Sequence, residues 1–108
     1  MAQYLHFGYN GYTGTVGGHT DASYYSSGAT TVDFTQFNLN SGGTWNYTIY
    51  LQRNENGSWR TTDMLSGSFS DRVTRSFNIT DNLPGTYRIK GVLNDKFTNL
   101  TDSFKIYR

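Results

Sequence analysis

Residues 44–52 read TWNYTIYLQ. Trp45, Tyr47, Ile49 and Leu51 alternate with Asn46, Thr48, Tyr50 and Gln52. Successive side chains of an extended chain point to opposite faces, so one face of this segment is apolar and the other polar. The reading is a half-buried β-strand. Asn54-Glu55-Asn56-Gly57 follows. Its last two residues accept positive φ, which favours a tight hairpin. A return strand then runs over Ser58–Leu65, with Trp59 and Thr61 facing one side, up to a second turn near Ser66-Gly67.

The same alternation extends in both directions. Thr30–Leu39 places Val32 and Phe34 against Asp33 and Thr35, then shifts phase at Phe37 and Leu39. Such a shift predicts a β-bulge or a strand end. Arg72–Thr80 puts Val73, Phe77 and Ile79 on one face with Arg75 between them. Thr86–Leu93 sets Tyr87, Ile89, Gly91 and Leu93 against Arg88, Lys90 and Val92. Asn94-Asp95-Lys96 turns the chain, and Ser103–Tyr107 closes it with Phe104 and Ile106 inward. With an entering strand at Gln3–Phe7, this makes an all-β, antiparallel sandwich of about seven to eight strands. Residues 1–108 read as a single domain. Within it, residues 8–28 form a Gly/Tyr-rich irregular segment that holds six of the twelve glycines and four of the nine tyrosines.

Composition agrees with this class. Thr is the commonest residue, whereas Ala occurs three times and Glu once. Helices draw on Ala, Glu, Leu and Lys, while Thr, Tyr, Phe, Val and Ile favour strands. The net charge is +1, and the densest basic group (Arg72, Arg75, Arg88, Lys90) is interrupted by acid, so no nucleic-acid partner is expected. No apolar run approaches the ~20 residues of a membrane helix, so no membrane insertion is expected. Only 16% of residues are charged and there is no cysteine. Low charge with abundant Ser, Thr, Asn and Gly points to an extracellular or cell-surface location. Met1–Asn10 shows no secretory leader, so that location requires one already removed. A Cys-free domain of this size points to a bacterial, archaeal or phage source.

The segment Leu83-Pro84-Gly85-Thr86-Tyr87-Arg88-Ile89 resembles the corner before a late strand in fibronectin type III and bacterial immunoglobulin-like domains. The resemblance spans these residues alone. It implies an immunoglobulin-like β-sandwich whose tyrosine ties the corner to the backbone, and it carries no activity.

Catalytic arrangements are missing from the sequence. A hydrolytic triad needs Ser, His and a carboxylate together, yet only His6 and His19 exist and neither lies in a nucleophile turn. His6 reads as an edge residue of a strand and His19 as a solvated loop residue. Glu55, the one Glu, sits in a turn, and the seven Asp are scattered through probable turns. No HExxH, EF-hand or phosphate-cradling glycine loop occurs. The expectation is a non-enzyme without cofactor or metal.

The aromatic surplus, 17% of residues, is the feature that points to binding. Tyr and Trp combine a large rigid contact with a polar tip. Trp45 belongs to the core face. The candidate ligand-binding rings are Trp59, Tyr50, Tyr9, Tyr12, Tyr24 and Tyr25. The first functional reading is an extracellular structural or protein-interaction module, a subunit of a surface assembly. It would work by self-association or contact with a surface protein, with residues 1–28 as a strand donor. The alternative is a carbohydrate-binding module stacking these rings on a polysaccharide. A third is a small secreted toxin or antimicrobial protein.

Overall fold

The computed structural model describes residues 3–7, 15–38, 44–95 and 97–107, with the backbone alone for 3–7 and 15. These residues build an all-β sandwich and contain no helix. In chain order the strands are β1 (Gln3–Phe7), β2 (Thr15–Thr20), β3 (Tyr24–Tyr25), β4 (Thr31–Asn38), β5 (Trp45–Glu55), β6 (Ser58–Phe69), β7 (Arg72–Asn78), β8 (Gly85–Leu93), β9 (Phe97–Leu100) and β10 (Phe104–Ile106). One sheet has the order β1-β2-β4-β7. The other runs β3-β10-β8-β5-β6, with β9 also paired to β8. All pairs are antiparallel except β3 with β10.

β9 and β10 follow one another along the same side of β8. Lys90 pairs with Leu100, whereas Tyr87 pairs with Phe104, so one extra residue enters between them. Buried Thr101 bridges this break. Its amide donates to the Ile89 carbonyl at 2.9 Å, and its hydroxyl oxygen accepts from the Ile89 amide at 2.9 Å. This interrupted edge adds β9 to the expected strands, and β2 and β3 in the N-terminal stretch bring the count to ten.

The core fills as the alternation dictates. Val32, Phe34, Phe77 and Ile79 come from the four-stranded sheet and its exit. Trp45, Tyr47, Ile49, Leu51, Tyr87, Ile89, Leu93, Phe104 and Ile106 come from the other. Each such side chain contributes about 1.5–3 kcal/mol when fully buried. The corner before β8 is tied as the resemblance implies: the Tyr87 hydroxyl donates to the Leu83 carbonyl at 2.6 Å.

Four local expectations are corrected. First, β4 keeps its phase to the end. Gln36, not Phe37, takes the buried position, and Phe37 faces outward. Its ring lies across Gly17, where an added Cβ would sit 2.3 Å from Phe37 Cζ. Glycine thus makes room for an aromatic cover on the outer surface.

Second, Ser66-Gly67 is not a turn. β6 continues to Phe69 and turns at Ser70-Asp71. Gly67 pairs with Tyr47, whose hydroxyl would lie 2.7 Å from a Cβ there. Arg75, on β7, donates to that hydroxyl at 2.8 Å and to the Ser66 carbonyl at 3.0 Å. The arginine spans the opening between the two sheets and caps a carbonyl of the edge strand. Exposed strand edges invite pairing, and such capping blunts them.

Third, the irregularity lies in β6. The register shifts at Leu51/Gln52, and the Thr62 hydroxyl donates to the Leu51 carbonyl at 3.1 Å. Fourth, the glycine-rich N-terminal stretch supplies ordered strands. β2 and β3 lie in it and pair within the domain itself, and His19 lies in β2 rather than in a loop, 5.8 Å from the Phe37 ring. The remainder of that stretch, residues 8–14, lies outside the described residues. The Asn56-Gly57 hairpin forms as expected, with φ of 57° and 91°.

Candidate functional site: the outer face of the six-stranded sheet

The polar half of each alternation points out of the sandwich. On β5 these positions are Asn46, Thr48, Tyr50, Gln52 and Asn54, and on β8 they are Thr86, Arg88, Lys90 and Val92. The register sets Tyr50 between Lys90 and Met64, and Gln52 between Arg88 and Thr61. Leu100 stands opposite Lys90, while Lys105 stands opposite both Thr86 and Tyr24. Sequence positions far apart thereby come onto one surface.

Two cations lie on two rings there. The Arg88 guanidinium sits 4.2 Å from the centre of the Trp59 ring. Lys90 Nζ sits 5.7 Å from the centre of the Tyr50 ring. Both distances fall within the range of cation–π attraction, about 0.5–1 kcal/mol at exposed sites. Arg88 Nε also donates to Gln52 Oε1 at 2.8 Å, and Gln52 Nε2 donates to the Thr61 hydroxyl at 3.3 Å. A chain Trp59–Arg88–Gln52–Thr61 therefore fixes the guanidinium across three strands. Partial burial holds the Arg88 pKa below the usual arginine value, yet a guanidinium stays charged at neutral pH.

The apolar residues on the face are large. Tyr24 (62% exposed), Met64 (53%), Leu100 (46%) and Tyr107 (50%) all point outward. Tyr24 and Tyr107 meet edge to face at 6.2 Å. The other large exposed hydrophobic among the described residues, Leu83, lies at the end of the sandwich beside the Tyr87 corner.

The nominated rings separate into three groups. Trp59 and Tyr50 share this face, and Tyr24 lies near its far edge. Tyr25 does not belong to it: it is buried, packs on Phe104 at 5.7 Å, and donates to Asp21 Oδ1 at 2.5 Å. Burial and the Asp21 carboxylate push its pKa well above the usual tyrosine value. Tyr9 and Tyr12 lie outside the described residues. Sequence reasoning missed Met64, Leu100, Tyr107 and Lys105 as surface partners of these rings. The outward Arg88 and Lys90 were legible in the β8 alternation, but their neighbours depend on strand order.

The carboxylates of Asp21, Asp33 and Glu55 are each paired within the domain. Asp21 Oδ1 also accepts from the Asp33 amide at 3.1 Å, and Asp33 Oδ1 accepts from Ser76 at 2.7 Å. Glu55 bridges Arg53 at 3.1 Å and Arg60 at 3.0 Å, which holds its carboxyl below the usual range. Beside this hairpin, a cleft of about 200 Å³ is lined by Arg53, Arg60, Asp81, Asn82, Leu83 and Tyr87. Among the described residues, no three His, Asp or Glu side chains stand close enough to hold a metal.

The sandwich, its tyrosine corner and its open sheet face are features of an immunoglobulin-like module. A model of the YqgA MG2 macroglobulin domain family matches residues 3–106. The chain belongs to that family. This macroglobulin domain is an immunoglobulin-like β-sandwich, which bears out the resemblance in kind while replacing the fibronectin type III label. The family is a structural and interaction family, and macroglobulin-like domains are often found in extracellular proteins. No curated protein matches the chain.

Proposed function

We propose that this macroglobulin domain is a non-enzymatic protein-interaction module of an extracellular or cell-surface protein. Its contact surface is the outer face of the six-stranded sheet. One observation carries this reading: exposed Met64 and Leu100 share one cross-strand row with Tyr50 and Lys90, and exposed Tyr24 and Tyr107 meet at the far edge of the same face. Exposed apolar residues scattered singly need no explanation, but a contiguous patch marks an interaction surface. Tyr, Trp, Met and Arg are the types enriched where proteins meet. Five strands at ~4.8 Å spacing and nine residues at ~3.3 Å rise give at most roughly 700 Å² of face. That approaches the ~800 Å² per partner of a stable complex.

Stacking on sugars would use bare ring faces, and here Trp59 and Tyr50 each turn one face to a cation. The geometry therefore supports a protein partner better than a polysaccharide.

Met64 reports on the face directly. Thioether oxidation follows exposure. Dilute hydrogen peroxide should oxidise Met64 several-fold faster in the isolated domain than in the native protein on its source cells, read by peptide mass spectrometry. Equal rates in the two settings would sink the reading.

A further inference from the structure

The outward positions of β5, β6, β8, β9 and β10 hold Arg88, Lys90 and Lys105 and, among the described residues, no carboxylate. Glu55 is at the hairpin tip, and Asp63 sits at the register shift, where its Oδ1 accepts from the Met64 amide at 2.8 Å. These strands thus bring three cations onto one face, and among the described residues the exposed Asp102, in the break between β9 and β10, is the acid beside them. We infer that this face docks an acidic protein surface, one that presents carboxylates alternating with apolar side chains along an extended strand. The inference rests on the reading above that the face is a contact surface.

Three observations select that occupant. Arg88 and Lys90 are two residues apart on one strand, so their anchor points lie about 7 Å apart. Alternate residues of a partner strand repeat at the same distance, and two sheets packed face to face bring such rows together. Next, a second copy of this chain is disfavoured. A two-fold contact through one face would bring two basic surfaces together, and like charges across an interface are costly. Finally, Leu100 stands opposite Lys90 and Val92 follows Lys90 along β8, so the partner needs apolar groups beside its acids. The guanidinium held by Trp59 and Gln52 is already fixed before binding, which lowers the entropy lost on contact.

The test is a nuclear magnetic resonance titration of the full chain with an end-blocked peptide in which threonine alternates with glutamate, glutamate, leucine and tyrosine. The same peptide with glutamine for glutamate, and polygalacturonate, are the comparisons. The acidic peptide should shift amides of β5, β8 and β10. The glutamine peptide should bind about tenfold more weakly, as should the acidic peptide to R88Q/K90Q/K105Q, since exposed ion pairs contribute about twofold each. Added salt should weaken the acidic complex. K90Q/K105Q keeps Arg88 on Trp59 and provides the comparison if the triple variant fails to fold. Equal affinity for both peptides at this face would overturn the acidic preference while leaving the contact surface standing. No shift on this face with either peptide would remove both. Binding of polygalacturonate at these residues in place of the acidic peptide would assign the face to a polysaccharide instead.

Discussion

Tyr87→Ala is expected to lower the unfolding free energy by about 3–5 kcal/mol, the range for truncating a buried aromatic. Tyr87 is among the largest fully buried side chains and stacks on Phe104 at 6.4 Å. Its hydroxyl separately anchors the Leu83 carbonyl. Tyr87→Phe keeps the ring and removes that anchor, at an expected cost of about 1–2 kcal/mol. Urea denaturation of the three proteins separates ring from hydroxyl. A Tyr87→Phe protein as stable as the parent would show that the corner is held by packing alone.

The two tryptophans should differ by several kcal/mol. Trp45 is 4% exposed and meets Phe97 edge to face at 6.4 Å, so Trp45→Ala should cost about 3–5 kcal/mol. Trp59 is half-buried on the edge strand and its described ring contact is Arg88. Trp59→Ala should cost only about 1 kcal/mol, the scale of one exposed cation–π pair. The same denaturation assay reads both variants. If Trp59→Ala destabilised as much as Trp45→Ala, the Trp59 side of the sheet would be core rather than contact surface.

This difference shows what the sequence makes legible. Strict alternation from Trp45 to Gln52 placed Trp45 inside and Tyr50 outside, and the structure agrees up to Gln52, which points outward but is buried beneath Arg88 and Thr61. The same is true of Tyr87 to Leu93 in β8. Alternation misled where a partner strand supplied glycine. Phe37 looks like a core residue until Gly17 is set beside it, and Gly67 looks like a turn until it is paired with Tyr47. Those pairings join residues twenty apart, which no local pattern encodes.

The candidate face was legible in pieces for a related reason. Trp59, Tyr50, Arg88 and Lys90 each read as outward from their own strands. What joins them is the adjacency of β8 to β5, two strands separated in sequence by β6 and β7. Lys105 and Leu100 reach the face only because β9 and β10 line the other side of β8. Tyr25 was misjudged because Tyr24 and Tyr25 are neighbours on a two-residue strand, and alternation sends just one of them outward.

The central claim is that the outer face of the six-stranded sheet meets another protein. Photo-crosslinking in the source cells tests it most directly, with p-benzoylphenylalanine placed at position 64 or at position 74. Met64 lies on that face, and Thr74 is exposed on the outer face of the opposite sheet, bonded to Thr35 at 2.8 Å. The account predicts a discrete protein adduct from position 64 and none from position 74. Adducts from position 74 alone, or from neither position, would contradict it.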